Sequence, residues 1–317
     1  MKRLLIIDGQ NMFIRNYVMS PQLDINGSPI GGLTGFMRSL QKEVRRAKPD
    51  RVAICWEGPG GSQARREKNK NYKVGRKAPK LNREYKFATS EEERENKYEQ
   101  VIRLTEYLDN LPVLQLAVEN VEADDVIAWL CHCNEYSEWQ KLIISNDKDF
   151  IQLCDEKTVL IRPGKNEEVL NKNEVLEQYS IHPRNFAWAR AITGDKSDNL
   201  EGVKGLGLAT VAKRFSFLSE NKDYGLPDIL THAKNNNSKI KAYQNVLDNE
   251  EIIASNYEIM QLYISTISPQ GVNKLKYAIK NDGVVLNRSE IRKMLLKDGI
   301  GTLNIDDLML ILSSHKK

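Results

Sequence analysis

The chain has 317 residues, 40% hydrophobic and 28% charged, which suits one large globular domain or two smaller ones. No apolar run approaches the roughly 18 residues a membrane span needs, and Leu4–Ile7 is too short for a secretory leader, so a cytoplasmic protein is expected. The net charge of +4 is unevenly spread: residues 65–86 hold ten Lys and Arg against Glu67 and Glu84, a local +8 that leaves −4 elsewhere, and such a strip points to a polyanionic partner.

In chain order, Leu4–Ile7, Val52–Trp56, Val113–Val118, Leu142–Ser145 and Thr158–Ile161 read as strands. Helical apolar spacing fills Gly35–Ala47, Tyr98–Leu111 and Ala123–Cys133 between them. This alternation predicts an α/β fold, a mostly parallel central sheet with helices on both faces. From about 171 onward the pattern is mainly helical. Asn235 to Ser238 reads as an exposed polar turn, and the segment beyond 250 carries helical spacing without a chemical signature. Cys55, Cys131, Cys133 and Cys154 form no C-x-x-C pair; reduced, packed thiols are expected rather than a zinc site.

In parallel α/β sheets, ligands bind at the carboxyl ends of the strands. Asp8 ends the first strand and Glu57 the second. Glu122, Asp124 and Asp125 follow the third, and Asp147 and Asp149 the fourth. A single Asp at a strand end is ordinarily a helix cap, but that explains four coincident ends poorly. Crowded carboxylates raise one another's pKa, and divalent cations relieve this; oxygen-only ligands favour Mg2+ or Mn2+. Glu122 and Asp125 share a face at i,i+3 if a helix begins there, and Asp147 and Asp149 point the same way in an extended chain. Asp195 and Asp198 form a further i,i+3 pair, followed by Gly202-Val203-Lys204-Gly205-Leu206-Gly207. That order is not a dinucleotide fingerprint. It reads as a glycine-rich hairpin leading into a helix at Ala209–Leu218, suited to a phosphate backbone and blind to base sequence; Lys204, Lys213 and Arg214 add charge nearby.

Together these residues resemble the 5′-nuclease (flap endonuclease) family, especially its bacteriophage members. The resemblance rests on Asp8-Gly9 with Asn11 and Arg15, on Glu122-Ala123-Asp124-Asp125, on Ser145-Asn146-Asp147-Lys148-Asp149, and on Gly194-Asp195-Lys196-Ser197-Asp198-Asn199 through Gly207. It implies a structure-specific 5′ nuclease, cutting 5′ flaps, nicks or ends of DNA and RNA primers in RNA–DNA hybrids by a two- or three-metal mechanism during replication. The implied metal ligands are Asp8, Glu57, Glu122, Asp124, Asp125, Asp147, Asp149, Asp195 and Asp198. Glu57 departs from the family pattern, which has Asp there. The resemblance further implies K+ held at Gly202, Val203, Gly205 and Gly207 within a helix–two-turn–helix at about 190–218. A basic helical arch is implied at about 60–97: Lys73 and Arg76 act over the scissile phosphate, Arg65, Arg66, Lys68 and Lys70 contact DNA, and Tyr72, Tyr85 and Phe87 stack on bases. Residues 1–180 would form the nuclease core and 181–317 a mainly helical region. The expected protein is a monomer, with a single-stranded-DNA-binding protein or a sliding clamp as candidate partners. Two alternatives are a junction-binding module that has lost catalysis, marked by Glu57, and a PIN-type ribonuclease, a class that lacks the hairpin.

Overall fold

The computed structural model describes residues 1–75, 87–236, 240–264, 266–281, 286–300 and 303–314. Five strands, β1 (Arg3–Asp8), β2 (Arg51–Cys55), β3 (Leu114–Leu116), β4 (Gln140–Ile144) and β5 (Thr158–Arg162), run parallel in the order β3-β2-β1-β4-β5. A short antiparallel strand, β6 (Glu168–Leu170), closes the β5 edge. Between the strands lie α1 (Gly9–Met19), α2 (Gly31–Ala47), α3 (Gln63–Lys68), α4 (Ser90–Asp109) and α5 (Ala123–His132). After β6 come α6 (Lys172–Tyr179), α7 (Pro183–Thr193), α8 (Leu208–Arg214), α9 (Leu226–Asn236), α10 (Lys241–Leu247), α11 (Glu250–Met260), α12 (Pro269–Lys280), α13 (Arg288–Lys297) and α14 (Asp306–Ser314).

Leu4, Leu5, Ile6 and Ile7 are all fully buried, as a strand covered on both faces requires. Successive side chains point to opposite faces. Leu4 and Ile6 join a core with Ala53, Cys55, Val126, Phe186, Val211, Ile253 and Leu275. Leu5 and Ile7 join a second core with Phe13, Phe36, Leu40, Leu104, Ile291 and Leu308. The helices after residue 180 therefore cover both faces of the sheet: α7, α8, α11 and α12 on the first, α13 and α14 on the second. Each of these buried aliphatic side chains contributes about 1.5–3 kcal/mol.

Several boundaries differ from the sequence reading. The segment after Asp8 is helical, because Asp8 itself caps α1, accepting a hydrogen bond from the Asn11 amide. α4 begins at Ser90 rather than near Tyr98, since Thr89 caps it and three glutamates fill its exposed first turn, a start without apolar spacing. The helix expected at Ala209–Leu218 breaks into α8 and a 3-10 turn at Ser216–Ser219, where the Arg214 carbonyl faces His232 Nε2 at 2.9 Å and accepts from the Tyr243 hydroxyl. Asn235 and Asn236 finish α9 rather than forming a turn, and Asn237 and Ser238 lie outside the described residues. Of the expected arch, α3 and the start of α4 are described; Arg76 and Tyr85 lie outside the described residues. No helix of the described residues is long and apolar enough to cross a membrane.

Candidate active site

The strand order reverses at β1, with β2 on one side and β4 on the other; in an open α/β sheet such a point opens a crevice at the carboxyl edge. Register places Asp8 beside Cys55 and Ile7 beside Ile144, so the residues just past β2 and β4 flank Asp8. The Ser145 hydroxyl donates to Asp8 Oδ2 at 2.8 Å and accepts from the Asp147 amide at 3.1 Å. Asp147 Oδ1 in turn accepts from the Asp149 amide at 2.8 Å. One hydroxyl thus links the ends of β1 and β4. Asp147 and Asp149 are brought together by this turn, which enters a 3-10 helix at Asp149, and not by the extended chain that their spacing suggested.

Burial and mutual repulsion perturb this group. Burial, against the Asn11 and Ser145 hydrogen bonds, raises the Asp8 pKa to about 6. Asp149 is raised to about 7 by burial and by the Asp147 charge, with Arg190 opposing. Asp124, at the start of α5, is raised well above the ordinary carboxylate value by burial, then by Asp147; Asp147 is raised by burial too. Asp198 lines the same cleft as Asp124 and Asp149, together with Arg65 and Tyr72.

Glu122, Asp125 and Asp195 are neutralised internally. Arg65 donates from Nη1 to Glu122 and lies 3.1 Å from Asp125 through Nη2, while its Nε donates to the Ile259 carbonyl. Glu122 and Asp125 do share a face, as their spacing required, and Arg65 occupies it. Lys73 Nζ donates to both Glu122 oxygens at 2.9 Å, and the Tyr72 hydroxyl to one of them at 3.2 Å. Burial alone would raise the Glu122 carboxyl, but Arg65 and Lys73 hold it below its ordinary value. Asp125 also accepts from the Thr266 hydroxyl at 2.8 Å. Arg190, on α7, donates to Asp149 at 2.9 Å and to Asp195, whose other oxygen accepts from Ser197.

Two expectations about the basic strip need correcting. Arg65 is 8% exposed and fully engaged by carboxylates, so it is an internal cation and not a surface contact for phosphate. Tyr72 is 3% exposed, packed with Leu200, Ile259 and Met260, and offers no face for base stacking. Phe87 is half-buried, while Arg66, Lys68 and Lys70 are exposed. Glu57 is exposed just past β2, unlike the other acidic residues of the edge. Among the described residues no three carboxylates stand as a ready-made ion cage, because Arg65, Lys73 and Arg190 take up part of the set.

Between α7 and α8 the chain makes two turns. Asp195 and Leu200 exchange backbone hydrogen bonds across the first. The second runs Val203 to Leu206, with Gly205 at φ 83°. The link between them packs backbone against backbone on the end of α7: a Cβ on Gly202 would lie 2.0 Å from the Thr193 carbonyl oxygen. The Val203 carbonyl accepts from Leu206 and that of Gly207 from Val211. Lys204 and Lys213 are exposed and Arg214 is half-buried.

Sequence reading missed Arg190, Thr266 and the bridging role of Ser145. Arg190 had a signal, a lone cation in the otherwise apolar stretch Phe186–Ile192, which requires a buried partner. Thr266 had none, since only folding carries it to Asp125.

The model for the 5′-3′ exonuclease N-terminal resolvase-like domain matches residues 3–180. A 5′-3′ exonuclease of Aquifex aeolicus is 31% identical over 212 residues, 66% of this chain and 68% of that one. A 5′-3′ exonuclease of Buchnera aphidicola is 28% identical over 253 residues, 77% and 82% of the two chains. Among solved structures, the T5 D15 protein co-crystallised with metal ions aligns at a TM-score of 0.63 and 20% identity, covering 94% of this chain and 100% of that chain; at that identity the likeness bears on the fold.

Proposed function

The chain belongs to the 5′-3′ exonuclease family, and from that membership we propose that it is a structure-specific 5′ nuclease. It hydrolyses phosphodiesters at 5′ flaps, nicks and ends of DNA, and at RNA primers paired with DNA, in the primer-removal step of replication. The observation that carries this reading is the row of carboxylates Asp8, Asp124, Asp147 and Asp149, the first buried and the others half-buried, each pushed above its ordinary pKa. Oxygen donors that repel one another fit hard divalent cations. Bound Mg2+ or Mn2+, two or three ions, would offset that repulsion and polarise a phosphodiester and a water. Asp8, Asp124, Asp147, Asp149 and Asp198 would hold them. Glu122, Asp125 and Asp195, held by Arg65, Lys73 and Arg190, would take an ion only in competition with those cations, and Glu57 would reach the edge by its longer arm or through water.

The other residues bind and orient. Lys73, with its ammonium at the lip of the acidic cleft, meets negative charge developing on the scissile phosphate; Arg76 is assigned the same role. Exposed Arg66, Lys68 and Lys70 contact the backbone of the 5′ strand. The paired turns, with Lys204, Lys213 and Arg214, hold duplex backbone without reading bases, and the carbonyls of Gly202, Val203, Gly205 and Gly207 would receive K+ there. A single-stranded-DNA-binding protein or sliding clamp as partner rests on the family resemblance alone. The retained carboxylate row argues against a module that binds junctions without cutting, and the paired turns argue against a PIN-type ribonuclease.

Product mapping on a 5′-labelled flap duplex tests the reading. Wild-type protein should release 5′ fragments with magnesium and none with EDTA, and Asp147→Asn should abolish release while keeping the wild-type thermal transition. Undiminished cleavage by the variant, or cleavage in EDTA, would refute it.

A further inference from the structure

Lys73 sits at φ 57°, a left-handed backbone that a residue with a Cβ adopts only where its surroundings impose it. Much of what imposes it comes from one place, the first turn after α7. The Asp198 carbonyl accepts from the Lys73 amide at 2.9 Å. Asn199 Nδ2 donates to the Asn71 carbonyl at 3.1 Å, the same carbonyl that closes the 71–74 turn by accepting from the Val74 amide at 3.1 Å. Between these two contacts the Tyr72 ring packs on Leu200. Asn199 is itself at φ 60°, a conformation asparagine tolerates better than most residues. Its turn is closed by the Asp195–Leu200 hydrogen bonds and anchored through Arg190.

We propose that Asn199 is a positioning residue: its amide latches the 71–74 turn to the first turn of the paired-turn element and so holds Lys73 at the acidic cleft. The proposal rests on the role given to Lys73 above. It adds that Lys73 is aimed from 126 residues further along the chain, by the element assigned to duplex binding. A group that acts at a phosphate loses rate steeply when displaced by about 1 Å, so the latch should govern turnover more than affinity.

The test compares wild type, Lys73→Ala, Asn199→Gly and the double variant in magnesium-dependent cleavage of a 5′-labelled flap duplex. Glycine keeps the left-handed turn and removes only the side-chain donor. Asn199→Gly should lower kcat by between about tenfold and a hundredfold, with KM within about twofold and an unchanged thermal transition. The double variant should be no slower than Lys73→Ala. Independently of activity, the Lys73 amide should exchange with solvent faster in Asn199→Gly than in wild type. Wild-type kcat in Asn199→Gly while Lys73→Ala is impaired, or losses that multiply in the double variant, would overturn the latch alone. Wild-type cleavage by Lys73→Ala would overturn the role of Lys73 and the latch with it.

Discussion

Replacing Arg65 with Met removes a buried cation and keeps most of its shape. The guanidinium faces Glu122 and Asp125, which are 3% and 6% exposed. Removing one partner of a buried ion pair costs about 3–5 kcal/mol, because it strands the other charge. Lys73 remains 2.9 Å from Glu122, which sets the expectation at the lower end, about 3 kcal/mol. Unfolding entropy of about 2.1 cal/mol/K per residue over 317 residues gives about 0.7 kcal/mol/K, so Tm in EDTA should fall by about 4–5 °C. Magnesium at about 100 times its Kd should stabilise the wild type by about 2.7 kcal/mol, or about 4 °C. In Arg65→Met the two carboxylates have lost their internal competitor, so the magnesium-induced rise should be larger. Calorimetry with EDTA and with magnesium reads both quantities. An unchanged Tm in EDTA would refute the buried ion pair, and an equal magnesium shift in both proteins would refute competition between Arg65 and the ion.

The raised pKa of Asp8, about 6, and of Asp149, about 7, mean that the unfolded chain ionises first as pH rises. Metal-free protein should therefore lose stability from about pH 4 to pH 7, and magnesium should restore it with affinity that grows over the same window; a Tm in EDTA that climbs across it would contradict the burial of these groups. Below about pH 4 the sign reverses, since Glu122 is held low by Arg65 and Lys73, and Asp195 by the Ser197 hydrogen bond and by Arg190. Ser145→Ala cuts the link between Asp8 and Asp147 and should weaken magnesium binding about 10–100-fold, read by titration calorimetry; wild-type affinity would show the bridge to be incidental. Gly202→Ala forces a Cβ to 2.0 Å from the Thr193 oxygen and should cost about 1–3 kcal/mol, whereas Gly207→Ala meets open space and should stay within about 0.5 kcal/mol of wild type. Equal thermal shifts for the two would mean that Gly202 does not pack on the end of α7 as described.

The alternation of strands and helices was legible because Leu4–Ile7 and its counterparts are continuous apolar runs, and only a two-faced sheet buries every residue of such a run. The strand-end carboxylates were legible for a related reason: once parallel strands are granted, their carboxyl ends must share an edge. The start of α4 was hidden because its capped, acidic first turn carries no apolar period, and α1 because its cap, Asp8, is also the last residue of β1. Arg65 and Tyr72 looked like surface groups because their neighbours Arg66, Lys68 and Lys70 are exposed.

Composition and spacing alone therefore determined the fold class and pointed to one acidic sheet edge and to hard divalent cations, since periodicity and charge are properties of the chain. Tertiary structure decided which carboxylates face one another, which are silenced by Arg65, Lys73 and Arg190, and what aims Lys73. These depend on contacts between residues far apart in sequence, such as Arg65 with Glu122 and Asn199 with Asn71. The side chains concerned are polar on either side of the contact, and no local pattern distinguishes a polar group that will be buried against its partner from one that will meet water.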